Sequence, residues 1–259
     1  MAVMNPLRRL AISLATALAI VAWPAASYAQ VKVIISGGFS AAFGKLLPEF
    51  EKSSGISVTT ATGASQGNGP NTIAAQLGRG VPADVVIMNR AGLNDLIAAG
   101  RIVSGTDRDL AKTYLGVAVR TGAAKPDIQN LEAFKQALLR ARSVALDSST
   151  TGIYVTTTMY PRLGIADEMA KKTVMSGAAA VARGEAEISV QPISELLPVK
   201  GIEIVGKVPD AVQYVAMFST ALVAGAKDVE ASRRLIAFLT SEAAHQAIRD
   251  SGMEPPAPR

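Results

Sequence analysis

Cysteine is absent from the 259-residue chain and histidine occurs once. Without cysteine there are no disulfides and no lipid attachment at a thiol, so stability has to come from packing. The lone histidine, His245, sits beside Glu242 and Gln246 in the C-terminal helical stretch, which rules out a multi-histidine metal site and a histidine triad. No metal and no cofactor is expected. Aromatic residues make up only 5% of the chain and the basic residues are scattered. That excludes a basic, stacking nucleic-acid surface. Gly37-Gly38 lacks the glycine spacing and the following lysine or acidic residue of a phosphate loop or a dinucleotide fingerprint.

Long apolar runs are scarce as well, and the one present is N-terminal. Arg8 and Arg9 precede the apolar run Leu10 to Val21, and Ser27-Tyr28-Ala29 forms a small-x-small site, the pattern of a secretory leader cleaved before Gln30. Later apolar segments are broken by Gly, Lys or Asp within a dozen residues, so no membrane anchor is expected. Loss of Arg8 and Arg9 lowers the formal charge of +5 by two. The remaining mild basic excess suits a small anionic ligand. About 230 residues then remain, enough for one large domain or two lobes with their own cores. The expected product is an exported periplasmic monomer.

Val31 to Leu47 reads as strand, tight turn and helix. A β-branched run meets Ser36-Gly37-Gly38-Phe39-Ser40, and Ala42, Phe43, Leu46 and Leu47 give one helical face. Ser40 is placed as the helix N-cap, and Phe39 as a wall of the cleft above the strand end. The arrangement recurs. Ile56 to Ala61 ends in Thr62-Gly63-Ala64-Ser65, Asp84 to Met88 ends in Asn89-Arg90-Ala91-Gly92, and Ser143 to Leu146 opens onto Asp147-Ser148-Ser149-Thr150-Thr151-Gly152. In open α/β sheets ligands bind beyond the carboxyl ends of strands, so four polar strand ends predict one shared cleft.

The chain starts again near Tyr114 with Leu-Gly-Val-Ala-Val, ending at Arg120. A helix is predicted over 128–142, a strand at Ile188 to Val190 running into Gln191-Pro192, another at Ile202 to Val205, an apolar connection over 213–218, and helices over 229–249. Two α/β blocks, the second inserted into the first, predict a bilobal α/β protein with a hinge. Residues 30–113 and 217–259 form one lobe, 114–216 the other.

The order Val33-Ile-Ile-Ser-Gly-Gly-Phe39, Gly63-Ala-Ser65, Gly80-Val-Pro-Ala-Asp-Val-Val-Ile87, Thr151-Gly-Ile-Tyr154 and Leu163-Gly164 resembles the periplasmic molybdate-binding proteins of ABC transporters over nearly the whole chain after the leader. The resemblance implies a type II periplasmic-binding-protein fold and an ABC permease as partner. That family holds a tetrahedral oxoanion through two serines, backbone amides and a tyrosine. Aligned here, the first serine position falls on Gly38, the second on Ser65, and the tyrosine on Gln191. With two side-chain donors missing, molybdate is not the expected best ligand. The chain also resembles a subgroup on this fold that includes periplasmic aconitate isomerases, which act on a tricarboxylate.

Larger organic anions call for guanidinium forks, and Arg90 and Arg120, each just past a strand end, are the arginines so placed. The expected ligand-binding set is therefore Gly38, Phe39, Ser40, Ser65, Asn89, Arg90, Arg120, Ser149, Thr150, Thr151, Gly152 and Gln191. The leading expectation is a periplasmic binding protein for a di- or tricarboxylate. An aconitate isomerase is the alternative, and a molybdate or tungstate receptor the third reading. An isomerase needs a proton carrier. Position alone nominates Tyr154, Ser149 and Asp147, and none stands out.

Overall fold

The computed structural model describes residues 29–257; all but the last residue of the leader expected over residues 1–29 lies outside the described residues. The first strand, β1 (Gln30–Ile35), has Val31, Val33, Ile34 and Ile35 buried, as a strand with neighbours on both sides and cover on both faces requires. It leads into α1 (Gly37–Ser54). β2 (Ser57–Thr62), α2 (Ile73–Gly78), β3 (Val85–Asn89) and α3 (Arg90–Ala98) complete a parallel unit, with β2 and β3 flanking β1.

β4 (Arg108–Arg120) then runs for 13 residues. After it come α4 (Leu131–Arg140), β5 (Val144–Ala145), α5 (Thr150–Tyr154), a π-helical turn, α6 (Tyr160–Leu163), α7 (Ala166–Ala170), β6 (Thr173–Val174), α8 (Ala178–Ala182), β7 (Ile188–Pro192), α9 (Ile193–Leu196) and β8 (Ile202–Lys207). β9 (Val215–Leu222), α10 (Val229–Leu239) and α11 (His245–Arg249) return to the first unit.

The strand order is β2-β1-β3-β9-β4-β7-β5-β6, with β8 paired to β4. β4 belongs to both halves of this curled sheet. Its residues 108–114 pair antiparallel with β9, and 115–120 pair antiparallel with β7 and β8. The apolar core is divided likewise. Val31, Phe39, Phe43, Leu46, Phe218 and Leu235 pack in one cluster, Leu115, Phe134, Leu138, Met159 and Val190 in another, and half-buried Tyr214 touches both. The fold is two-lobed α/β, as expected.

Four local expectations are corrected. Ser36, not Ser40, is the residue before α1; Ser40 lies inside the helix and its hydroxyl donates to the Ser36 carbonyl at 3.1 Å. The stretch read as a connection over 213–218 is the start of β9, which is buried between β3 and β4. β4 begins seven residues before the expected restart, at Arg108, because its polar first half pairs with β9. The helix predicted over 128–142 is the shorter α4, whose start is set by Asn130 accepting from the Ala133 N–H at 2.9 Å.

Two glycines permit close approaches that shape the space above the sheet. A Cβ at Gly92 would lie 2.2 Å from the Ser65 carbonyl oxygen, and one at Gly152 would lie 1.8 Å from that of Asp147. Both obstacles are backbone, which cannot swing aside as a side-chain tip can. Gly152→Ala is expected to destabilise the fold by about 1–3 kcal/mol, the usual cost of overpacking. Urea unfolding checks this, and an unchanged midpoint would show that the Asp147 turn is free to move.

Candidate functional site

The carboxyl ends of β1, β2, β3 and β5 meet in one cleft of about 560 Å³. Its walls include Ser36, Gly37, Ser65, Asn71, Gln76, Arg79 and Asn89 from one half of the sheet. Asp147, Ser149, Thr150, Thr151 and Glu195 come from the other, and Phe218 lies at the crossing. The volume falls within the range typical of small-molecule sites.

The hydroxyls are arranged to meet an anion. Ser65 Oγ accepts from the Asn89 N–H at 2.9 Å, and Ser149 Oγ accepts from the Ser65 N–H at 3.1 Å. Each hydroxyl oxygen is thus occupied by a backbone donor, while its own proton is free to point into the cleft. Ser36 Oγ and Thr150 Oγ1 are buried without a hydrogen-bond partner among the described residues. A buried hydroxyl left unpaired is costly, so such a pair on the wall of a cleft marks where ligand oxygens belong. Ser36 also precedes the 18-residue α1, whose first-turn N–H groups add positive potential at the cleft floor.

The rest of the frame is held by backbone contacts. Gln76 Nε2 donates to the carbonyls of Thr62 (2.9 Å) and Asn71 (3.1 Å), fixing the loop between β2 and α2. Asp147 accepts from the Ser149 N–H at 2.6 Å and from the Thr151 hydroxyl, which fixes the turn after β5. Asn89 caps α3 by accepting from the Ala91 N–H, and it also accepts from the Tyr214 hydroxyl at 3.3 Å.

Of the expected residues, Ser65, Asn89, Ser149, Thr150 and Thr151 line the cleft. The others stand elsewhere. Phe39 is fully buried among Val31, Phe43 and Leu46, because it continues the apolar stripe of α1, and Phe218 supplies the aromatic wall instead. Gly38 is buried under Phe218: a Cβ there would lie 1.9 Å from the ring. The serine that follows β1 and lines the cleft is Ser36, two residues before Gly38. Gly152 is packed on the Asp147 backbone behind the wall.

The two arginines are also displaced. Arg90 is engaged by Asp107 at 2.7 Å and by Asp109, and it holds the Asp107 carboxyl below its usual range. Arg120 ends a strand that runs antiparallel to β5 and β7, so it emerges at the opposite edge of the sheet. There it lines a separate cavity with Lys125, Arg140 and Arg142. The guanidinium on the cleft wall is Arg79, just past α2, which makes no side-chain ion pair or hydrogen bond among the described residues. It follows a helix rather than a strand, and the strand-end rule passes it by.

Glu195 was missed too. β7 runs straight into α9, so Glu195 follows a strand end like the others, but no glycine or hydroxyl-rich turn after Pro192 signals it. Gln191 stands just behind it. Its Oε1 accepts from the Ala178 N–H (2.6 Å) and from the Ser189 hydroxyl (3.1 Å), and its Nε2 donates to Glu195 Oε2 at 3.3 Å. Burial, with a smaller contribution from the negative charge of Asp147, pushes the Glu195 carboxyl up to about 8.

A family model described as bacterial extracellular solute-binding protein matches residues 31–254. The chain belongs to this family. This solute-binding protein is 40% identical over 227 residues to an aconitate isomerase from Pseudomonas sp, which covers 86% of the chain and 87% of that relative. Among solved structures, the Azotobacter vinelandii periplasmic molybdate-binding protein superposes with a TM-score of 0.69 at 18% identity, over 88% of this chain and 100% of that one. The substrate-binding domain of a putative molybdenum ABC transporter from Clostridium difficile gives 0.65 at 19%, over the same shares. These two likenesses bear on the fold alone.

The unpartnered state of Ser36 Oγ makes a direct prediction. Ser36→Ala removes no hydrogen bond from the protein, so the urea-unfolding midpoint should stay the same or rise. Affinity for an anionic ligand should fall by about 10-fold or more, the equivalent of one hydrogen bond to a charged group. Calorimetry with a panel of small organic and inorganic anions checks the second part, and unchanged affinity for every anion that binds would take Ser36 out of the site.

Proposed function

We propose that this solute-binding protein is an exported isomerase that interconverts trans- and cis-aconitate. The observation that carries the reading is the Glu195 carboxyl on the cleft wall, one oxygen held by Gln191 and the other without a protein hydrogen bond among the described residues, where burial raises its pKa. A receptor could use such a carboxyl only as a hydrogen-bond donor while it stays protonated, and any ionised fraction would repel a polyanion. An enzyme that moves a proton needs such a group with a pKa near the working pH. The 40%-identical aconitate isomerase, matching over most of both chains, supports the same reading.

In this reading Arg79 takes one substrate carboxylate, and the Ser36, Ser65, Ser149 and Thr150 hydroxyls take oxygens of the others. The lobes divide near Thr113 and Tyr214, where β4 and β9 cross between the two cores. Residues 1–29 serve as an export leader to the periplasm, in keeping with an extracellular family. A permease partner belongs to the transport reading and is tested along with it.

Purified protein incubated with trans-aconitate should produce the cis isomer, followed by chromatography. Arg79→Ala should weaken binding of trans-aconitate by about 10-fold or more. Tight binding without turnover would leave a transport receptor for a tricarboxylate. Molybdate or tungstate bound more tightly than aconitate would overturn the substrate class altogether.

A further inference from the structure

We infer that Glu195 is the single proton carrier of this cleft, taking a proton from one end of an allylic tricarboxylate and returning it to the other, with Gln191 and Asp147 as positioning residues. The inference rests on the isomerase reading and extends it to named atoms.

The placement of the carboxyl comes first. Glu195 follows β7 from one half of the molecule, yet its carboxyl reaches the first turn of α1 in the other. A Cβ built on Gly37 would lie 3.9 Å from Glu195 Cδ and Oε1. The group therefore lies where substrate atoms held by both halves must pass. Gly37 leaves that space open, and Ser36 stands next to it on the same wall.

Its hydrogen bonding is one-sided. Oε2 accepts from Gln191 Nε2, and Oε1 has no protein hydrogen bond among the described residues. Gln191 cannot turn its amide round, because its Oε1 is fixed by the Ala178 N–H and the Ser189 hydroxyl. One oxygen is thereby held and the other left for chemistry. That is the arrangement a general base needs, since a proton-transfer atom must be positioned yet uncommitted.

The titratable or charged groups sharing the cleft are Asp147 and Arg79. Burial disfavours ionisation of Glu195 most, and the charge of Asp147, bonded to the Ser149 N–H and the Thr151 hydroxyl, adds to it. The protonated form therefore persists to about pH 8, and the carboxylate that forms above it is a stronger base than an ordinary glutamate.

The step balances without a co-reactant. The Glu195 carboxylate removes a proton from the methylene carbon of trans-aconitate, breaking that C–H bond and forming O–H. The released electron pair becomes the new carbon–carbon double bond, while the old π pair moves to the former vinyl carbon. That carbon takes the proton back from Glu195, so O–H breaks and C–H forms. The substrate leaves with its double bond shifted and its geometry changed, and Glu195 is again a carboxylate. Arg79 and the cleft hydroxyls stabilise the negative charge that develops between the two transfers.

The test measures turnover of trans-aconitate in wild type, Glu195→Gln, Glu195→Asp and Asp147→Asn, with binding followed separately by calorimetry. Glu195→Gln should lower kcat by about 10²–10⁴-fold, the usual share of general acid–base catalysis, while trans-aconitate still binds. Glu195→Asp should keep a measurable part of the activity. Wild-type kcat/KM should rise with pH to a plateau above about 8, and Asp147→Asn should move that rise to lower pH. Full turnover in Glu195→Gln, or a wild-type profile flat through pH 8, would overturn the assignment while leaving the isomerase reading intact. Wild type that binds trans-aconitate without turning it over would overturn the isomerase reading, and the assignment with it.

Discussion

Because β4 enters the second half of the sheet antiparallel to β5 and β7, strand direction decides what the cleft contains. β1, β2, β3, β5 and β7 deliver their following residues to it: Ser36, Ser65, Asn89, Ser149 and Glu195. β4 delivers Arg120 to the far edge. A guanidinium and a carboxyl, each at the end of a strand in the same half of the protein, thus face opposite ways. No local feature of Arg120 or Glu195 distinguishes them; only the pairing of β4 with β7 does.

This explains why part of the site was legible in the sequence and part was not. Polar, glycine-bearing turns after apolar runs are local signals, and they led to Ser65, Asn89, Ser149, Thr150 and Thr151. Phe39 could have been assigned to the core from the sequence alone, since it shares a helical face with Ala42, Phe43 and Leu46. The first half of β4 is polar and reads poorly as a strand, so that half and the whole of β9 become recognisable only through the tertiary pairing that makes them central. Arg79 carries no local signal, because the loop geometry between β2 and α2, set by Gln76, brings it to the wall.

The cleft is also short of positive charge for its proposed task. One guanidinium faces two carboxyl groups, Asp147 and Glu195. The balance is workable because Asp147 is occupied by a backbone N–H and a hydroxyl, and because Glu195 stays protonated to near pH 8. Neutral hydroxyls then carry much of the recognition. Aimed donors in a partly dehydrated space hold an anion without the desolvation cost of further buried cations.

Phe218 belongs at once to β9, to the first core and to the cleft wall, with its ring resting on Gly38 at the start of α1. Bending of the two crossing strands must therefore move that ring relative to the helix beneath it. If a ligand bends these strands, part of its binding energy goes into the bend, and by reciprocity anything that holds the strands bent alters the ligand's affinity by the same factor. Any conformational preference of β4 and β9, remote from most polar groups of the cleft, would then act as a setting of its affinity.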